Sequence, residues 1–127
     1  MSHTINWFEI PVTDLNRAMS FYSKVLGVDI TREEMDGCKM GIFPGSGGNV
    51  TEKNIVHGAL VQADGYIPST QGSLLYLNGG DDLSTPLAKI KAAGGEVLQE
   101  KTAIGPHGFF AIFKDTEGNK VALHSPH

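Results

Sequence analysis

The chain has 127 residues, 40% of them hydrophobic and 19% charged, with a formal net charge of −4 at pH 7. A chain of this length forms one domain that buries about two thirds of its unfolded surface. A mild negative charge argues against nucleic acid or an anionic membrane as the main partner and leaves a neutral or cationic small molecule open. Cys38 is the only cysteine, which excludes an intrachain disulfide and a cysteine-based zinc cluster.

The N-terminal run "MSHTINWFEI" has neither a basic start nor an apolar centre. No apolar stretch approaches membrane-spanning length, so a cytoplasmic protein is expected. "INWFEIPV" reads as a short strand ending at Pro11. Asp14 then suits the N-cap of a helix. Leu15, Ala18, Met19, Tyr22, Val25 and Leu26 fall on one helical stripe, and Gly27 supplies the C-terminal stop. Strand-like runs follow near 28–33, 37–43 and 55–62. The Gly-, Ser- and Pro-rich segments 44–54 and 63–71 read as loops. "SLLYLN" opens a second series, with a helix from about 84 to 94 carrying Pro86 in its first turn. Runs near 96–102, 108–114 and 119–124 complete it.

The two series are copies of one unit. "DLNRAMSFYSKVLG" from Asp14 aligns with "DLSTPLAKIKAAGG" from Asp82, matching Met19 with Leu87, Tyr22 with Ile90 and Gly27 with Gly95. "GIFPGSGGN" aligns likewise with "AIFKDTEGN". The expectation is a single α+β domain over 1–127, built of two βαβββ modules at about 1–65 and 70–127. Each helix covers one face of its sheet. Pairing of the sheets would leave a concave space, the natural place for a ligand.

"FEIPVTDLNRAMSFYSKVLG", the repeat, and "DTEGNKVALHSP" before the C-terminus together resemble the glyoxalase/bleomycin resistance/dioxygenase superfamily, the vicinal oxygen chelate proteins. The chain looks especially like small bacterial glyoxalase-like members without a settled reaction. The resemblance implies a curved, incomplete barrel with a concave ligand cavity, commonly in a homodimer. Metal-dependent members hold a divalent ion with His and Glu side chains. The matching positions here are Trp7, Ser73 or Leu74, Ala59 or Val61, and Ala122, so the usual metal site and glyoxalase I activity are not expected.

Strand alternation places Glu9 on the face of Trp7, and His124 on that of Ala122. Glu9 on an apolar strand needs a partner, because an isolated carboxylate is costly to desolvate. His124 could donate to it, giving an acid–base couple or two groups that merely satisfy each other at the cavity rim. With His57 they would form a relocated metal set, Glu9, His57 and His124, of facial-triad type. An exposed or loop-capping histidine is the simpler reading of His57.

Trp7 and Tyr76 could line an apolar pocket, although Tyr76 also suits plain core. Phe109 or Phe110, with Phe113, would divide between core and cavity, and Phe109 is taken as the cavity residue. "YIPSTQG" from Tyr66 reads as a lid or a linker, His107 as exposed and Lys101 as solvated. "PGSGGN" lacks the context of a phosphate loop.

The ligand-binding set is therefore Trp7, Glu9, His57, Tyr76, Phe109 and His124, with Glu9 and His124 as catalytic candidates. Three function classes follow. The first is a small-molecule binding protein with no predicted cofactor and without the family's divalent metal. The second is a lyase, isomerase or dioxygenase using Glu9 and His124, metal-free or with relocated metal. The third is a scaffold with a vestigial cavity.

Overall fold

The structure is a computed structural model that describes residues 4–44 and 56–127. Its first module runs β1 (Trp7–Pro11), α1 (Leu15–Leu26), β2 (Thr31–Met35), β3 (Cys38–Ile42) and β4 (His57–Gln62). The second runs β5 (Tyr76–Asn78), α2 (Ser84–Leu87), β6 (Glu96–Ala103), β7 (Phe109–Lys114) and β8 (Lys120–Ser125). The predicted βαβββ order thus occurs twice. Strand orders are β1-β4-β3-β2 and β5-β8-β7-β6, two equivalent four-stranded sheets that do not close into a barrel. In each, the first strand pairs in parallel with the last, and the remaining pairs are antiparallel. The loop predicted over 44–54 lies outside the described residues apart from Pro44.

α1 forms where its punctuation predicts. The Asp14 carboxylate accepts from the Arg17 N–H at 3.1 Å, and Gly27 adopts φ 66° while donating to the Ser23 carbonyl. The buried stripe is Leu15, Ala18, Phe21, Tyr22 and Val25.

α2 departs from expectation, since only Ser84–Leu87 is regular helix. From there to Gly95 the backbone mixes bonds to the third, fourth and fifth preceding carbonyl: Lys89 to Pro86, Ala93 to Lys89, Gly95 to Ile90. Pro86 removes one donor, and glycines at 94 and 95 give the far end little helical preference. Leu83 and Ile90 are nevertheless wholly buried, so the segment still covers its sheet.

One core joins the modules. Phe21 lies 5.8 Å from Phe113 between ring centroids, and Tyr22 lies 5.8 Å from Phe43 and 6.2 Å from Phe113. Leu60 of the first sheet and Leu123 of the second belong to the same apolar cluster. Within one chain the two sheets therefore share their helix-facing sides.

The turn Asp115–Lys120 fastens this arrangement. Glu117 reaches the start of α1, accepting from the Thr13 and Asp14 N–H groups at 2.9 Å each and from Arg17 Nε at 2.7 Å. Buried Asp115 accepts from the Tyr22 hydroxyl at 2.7 Å, and Asn119 Nδ2 donates to the Pro11 carbonyl at 2.7 Å. The sequence signature before the last strand is thus a polar clasp between modules.

Candidate functional site

The opposite side of each sheet is left without a helix. Paired strand residues share a face, so in the first sheet Trp7 goes with His57, Glu9 with Ala59, and Pro11 with Val61. Ile42 and Met40 continue the row across β3. Ile42, Ala59 and Val61 form a small apolar cluster separate from the main core. In the second sheet Tyr76 goes with Ala122, Asn78 with His124, and Phe110 with His124 from the other side.

On the first open face, Trp7 Nε1 donates to Glu9 Oε2 at 3.1 Å. The Tyr66 hydroxyl donates to Glu9 Oε1 at 3.0 Å. Residues seven and nine meet because alternation puts them on one side of β1. Tyr66 arrives from the loop after β4, the segment read from sequence as a lid or a linker, and its side chain reaches this face. Its hydroxyl is held above the ordinary phenol range, first by the bond to Glu9 and then by the carboxylate's charge. His57 opens β4 beside Trp7 and is buried, which corrects the expectation of an exposed or loop-capping histidine.

On the second open face, Tyr76 is half exposed and its ring lies 6.4 Å from that of Phe110. His124 Nε2 lies 2.5 Å from the His107 carbonyl, the geometry of an Nε2–H donor. Tyr76, Asn78, His124 and Pro126 border a recess of about 340 Å³. A larger cleft of about 1000 Å³ runs between the modules, bordered by Phe8, Leu26, Phe43, Leu77, Asp82 and Lys89, and Tyr76 of the expected ligand-binding set also lines it.

Four further expectations need correction. Glu9 and His124 are not a hydrogen-bonded couple within the chain: they stand on different sheets, and Glu9 is satisfied by Trp7 and Tyr66, His124 by the His107 carbonyl. Glu9, His57 and His124 do not form a metal set within one chain, because among its described residues no three His, Cys, Asp or Glu side chains gather where they could hold an ion. Phe109 is not on the open face. Alternation along β7 pairs it with buried Ser125 and packs it on the main core, which puts Phe110 beside His124 instead. Lys101 is not simply solvated, since Nζ donates to Asp82 and Ser84 at 3.2 Å and lies 4.8 Å from the Phe109 ring centroid. The Asp82 carboxyl is held low by the Ser84 N–H and then by Lys101, so this group secures the start of α2.

Tyr66 is the site residue that sequence reasoning passed over. Its signal was weak, a tyrosine in a loop with no periodicity to orient it. The positions where the family resemblance would place metal ligands hold Trp7, Ser73 or Leu74, Ala59 or Val61, and Ala122. Both alanines are fully buried and offer no donor atom, so these side chains do not fit a divalent ion.

A model of the Glyoxalase/Bleomycin resistance protein/Dioxygenase superfamily matches residues 4–123. A glyoxylase-like domain-containing protein from Didymella fabae is 32% identical over 123 residues, covering 94% of this chain and 91% of the relative. Among solved structures, a glyoxalase/bleomycin resistance protein from Streptomyces sp. CB03234 is similar at TM-score 0.64 and 26% identity, over 96% of this chain and 100% of that one. An antibiotic binding protein from the same Streptomyces has the same fold at TM-score 0.63 and 24% identity, over 100% of this chain and 98% of that one. With the fold repeated in both modules and the match running nearly end to end, the chain belongs to the glyoxalase/bleomycin resistance protein/dioxygenase superfamily.

Proposed function

We propose that this protein binds a small, partly aromatic molecule on the open faces of its sheets, without the divalent ion of metal-dependent superfamily members. The observation that carries this reading is Trp7. It stands where a metal-binding histidine would be expected, and it turns its indole N–H to Glu9 rather than leaving a ligand position vacant. Aromatic side chains offer area and a polar handle to organic ligands. The Streptomyces antibiotic binding protein lends support at the level of fold.

The open faces also bear on assembly. Trp7, Met35, Tyr66, Tyr76 and Leu98 are large apolar side chains left exposed, and sheets with a bare apolar face are normally covered. A second copy is the proposed cover. Under a two-fold axis, the first sheet of one copy against the second sheet of the other covers all four faces at once. First sheet against first sheet would leave two faces bare. In that arrangement Glu9 and His124 become opposite walls of one cavity, contributed by different copies, and ligand contact by both is part of the proposal.

Trp7 is the only tryptophan, so its fluorescence reports on the site directly. Titration with a panel of neutral and cationic aromatic antibiotics, bleomycin included, should give saturable quenching by at least one compound. Glu9→Gln and His124→Ala should weaken binding by calorimetry while leaving the thermal midpoint nearly unaltered. Sedimentation should show a dimer. Incubation with Ni, Zn, Fe and Mn should leave no stoichiometric metal on the protein; a bound metal lost in His124→Ala would overturn the metal-free reading. Large destabilisation with no binding defect would make the two residues structural.

A further inference from the structure

Glu9 is an exposed carboxylate, and none of the ion pairs among the described residues involves it. Its partners are two aromatic side chains, one tethered to each oxygen: the Trp7 indole to Oε2 and the Tyr66 phenol to Oε1. Trp7 keeps 39% of its surface exposed and Tyr66 keeps 37%. Beside them Ala59, in register with Glu9, joins Val61 and Ile42 in a buried apolar floor.

We infer that Trp7, Tyr66 and Glu9 form a receptor for an organic ammonium ion on the open face of the first sheet. This rests on the small-molecule reading above and names the chemistry of the ligand. A carboxylate offers about four lone-pair directions, and two donors leave room for a further favourable contact. Aromatic rings attract cations through their quadrupole, tryptophan best of all. The carboxylate supplies the counter-charge that the rings alone lack. Lys39, the basic residue of β3, pairs with Gln62 on the helix-facing side, so it does not compete for this position. The bond to Glu9 and the carboxylate's charge hold the Tyr66 hydroxyl high, which keeps the ring a neutral phenol.

An inorganic cation suits the place poorly. It would need several oxygen ligands and keep its water, whereas the surroundings are two rings and an aliphatic floor. Methyl or methylene groups on a nitrogen cation would instead meet the exposed parts of Trp7 and Tyr66.

The test uses the full chain with choline and with its carbon isostere, in which a quaternary carbon replaces the nitrogen. Choline should quench Trp7 saturably, with a Kd on the order of millimolar, about tenfold tighter than the isostere. Glu9→Gln should lose about tenfold in choline affinity, and Tyr66→Leu should lose a comparable amount through the missing ring. Equal affinity for choline and isostere in the unmodified protein overturns the inference without any need for a variant. Unchanged choline binding in Glu9→Gln overturns it as well. If choline fails while a neutral aromatic compound binds, the ammonium receptor is wrong and the small-molecule reading stands. If neither binds, both fall.

Discussion

Replacing Asp115 with alanine should destabilise the protein by about 3–5 kcal/mol, the range seen when one member of a buried charged network is removed. Asp115 is 4% exposed. One of its oxygens accepts from the Glu117 and Asn119 N–H groups at 2.9 Å each, and the other from the Tyr22 hydroxyl at 2.7 Å and Asn119 Nδ2 at 3.1 Å. Without the carboxylate, the wholly buried Tyr22 hydroxyl loses the partner it has in the core between the modules. The hydroxyl itself is held well above its ordinary range by burial, and then by the charge and hydrogen bond of Asp115, so it remains a donor at any working pH. The effect should be read from urea unfolding followed by circular dichroism. A double-mutant cycle with Tyr22→Phe gives the sharper result. Deleting both ends of the Tyr22–Asp115 bond should cost less than the sum of the single changes, because the orphaned hydroxyl is then gone. Strict additivity would mean the bond carries no coupling between modules.

Glu117→Gln should cost about 2 kcal/mol at neutral pH, and the difference from the unmodified protein should vanish in acid. Burial pushes the Glu117 carboxyl up, but the bonds from Arg17, the Asp14 N–H, Thr116 and the Thr13 N–H outweigh it and hold the pKa at about 2, against an ordinary 4.5. A folded-state pKa below the unfolded one stabilises the protein above the unfolded value. That contribution is lost as pH falls from about 4.5 through about 2. The full shift would be worth more, but the side chain of Arg17 is 50% exposed and water screens its share. Urea midpoints at pH 7 and near pH 3 should therefore differ more for the unmodified protein than for the glutamine variant. Parallel pH profiles would show that the clasp stabilises the fold by shape alone, without its charge.

These two residues sit in the turn whose letters, D-T-E-G-N-K, helped to carry the family resemblance. Their role became visible only when the turn was seen against α1 and the end of β1. In the sequence, Glu117 and Thr13 are more than a hundred positions apart, and no local rule joins them.

How the open faces divide shows the same boundary. That Trp7 and Glu9 share a face follows from strand alternation, and the hydrogen bond between them bears it out. The strand over 108–114 was equally legible, yet its parity was not. Three phenylalanines lie on it, and hydrophobicity cannot tell Phe109 from Phe110. Pairing with Ser125 and His124 decided which turned inward. Tyr66 sits in a loop, where no period exists to orient a side chain.

The sequence by itself determined the repeated βαβββ order, the position and caps of α1, and the unsuitability of Trp7, Ala59 and Ala122 as metal ligands. These rest on local periodicity, capping chemistry and side-chain type, which neighbouring residues suffice to express. Tertiary structure alone decided that the sheets share their helix-facing sides, that Glu9 belongs with Tyr66 and His124 with the carbonyl of His107, and that the far part of α2 is irregular. Those outcomes depend on which distant surfaces meet when the core closes around Phe21, Tyr22 and Phe113. Burial has no direction along the chain, so a stripe or an alternation says that a face will be covered but not by what.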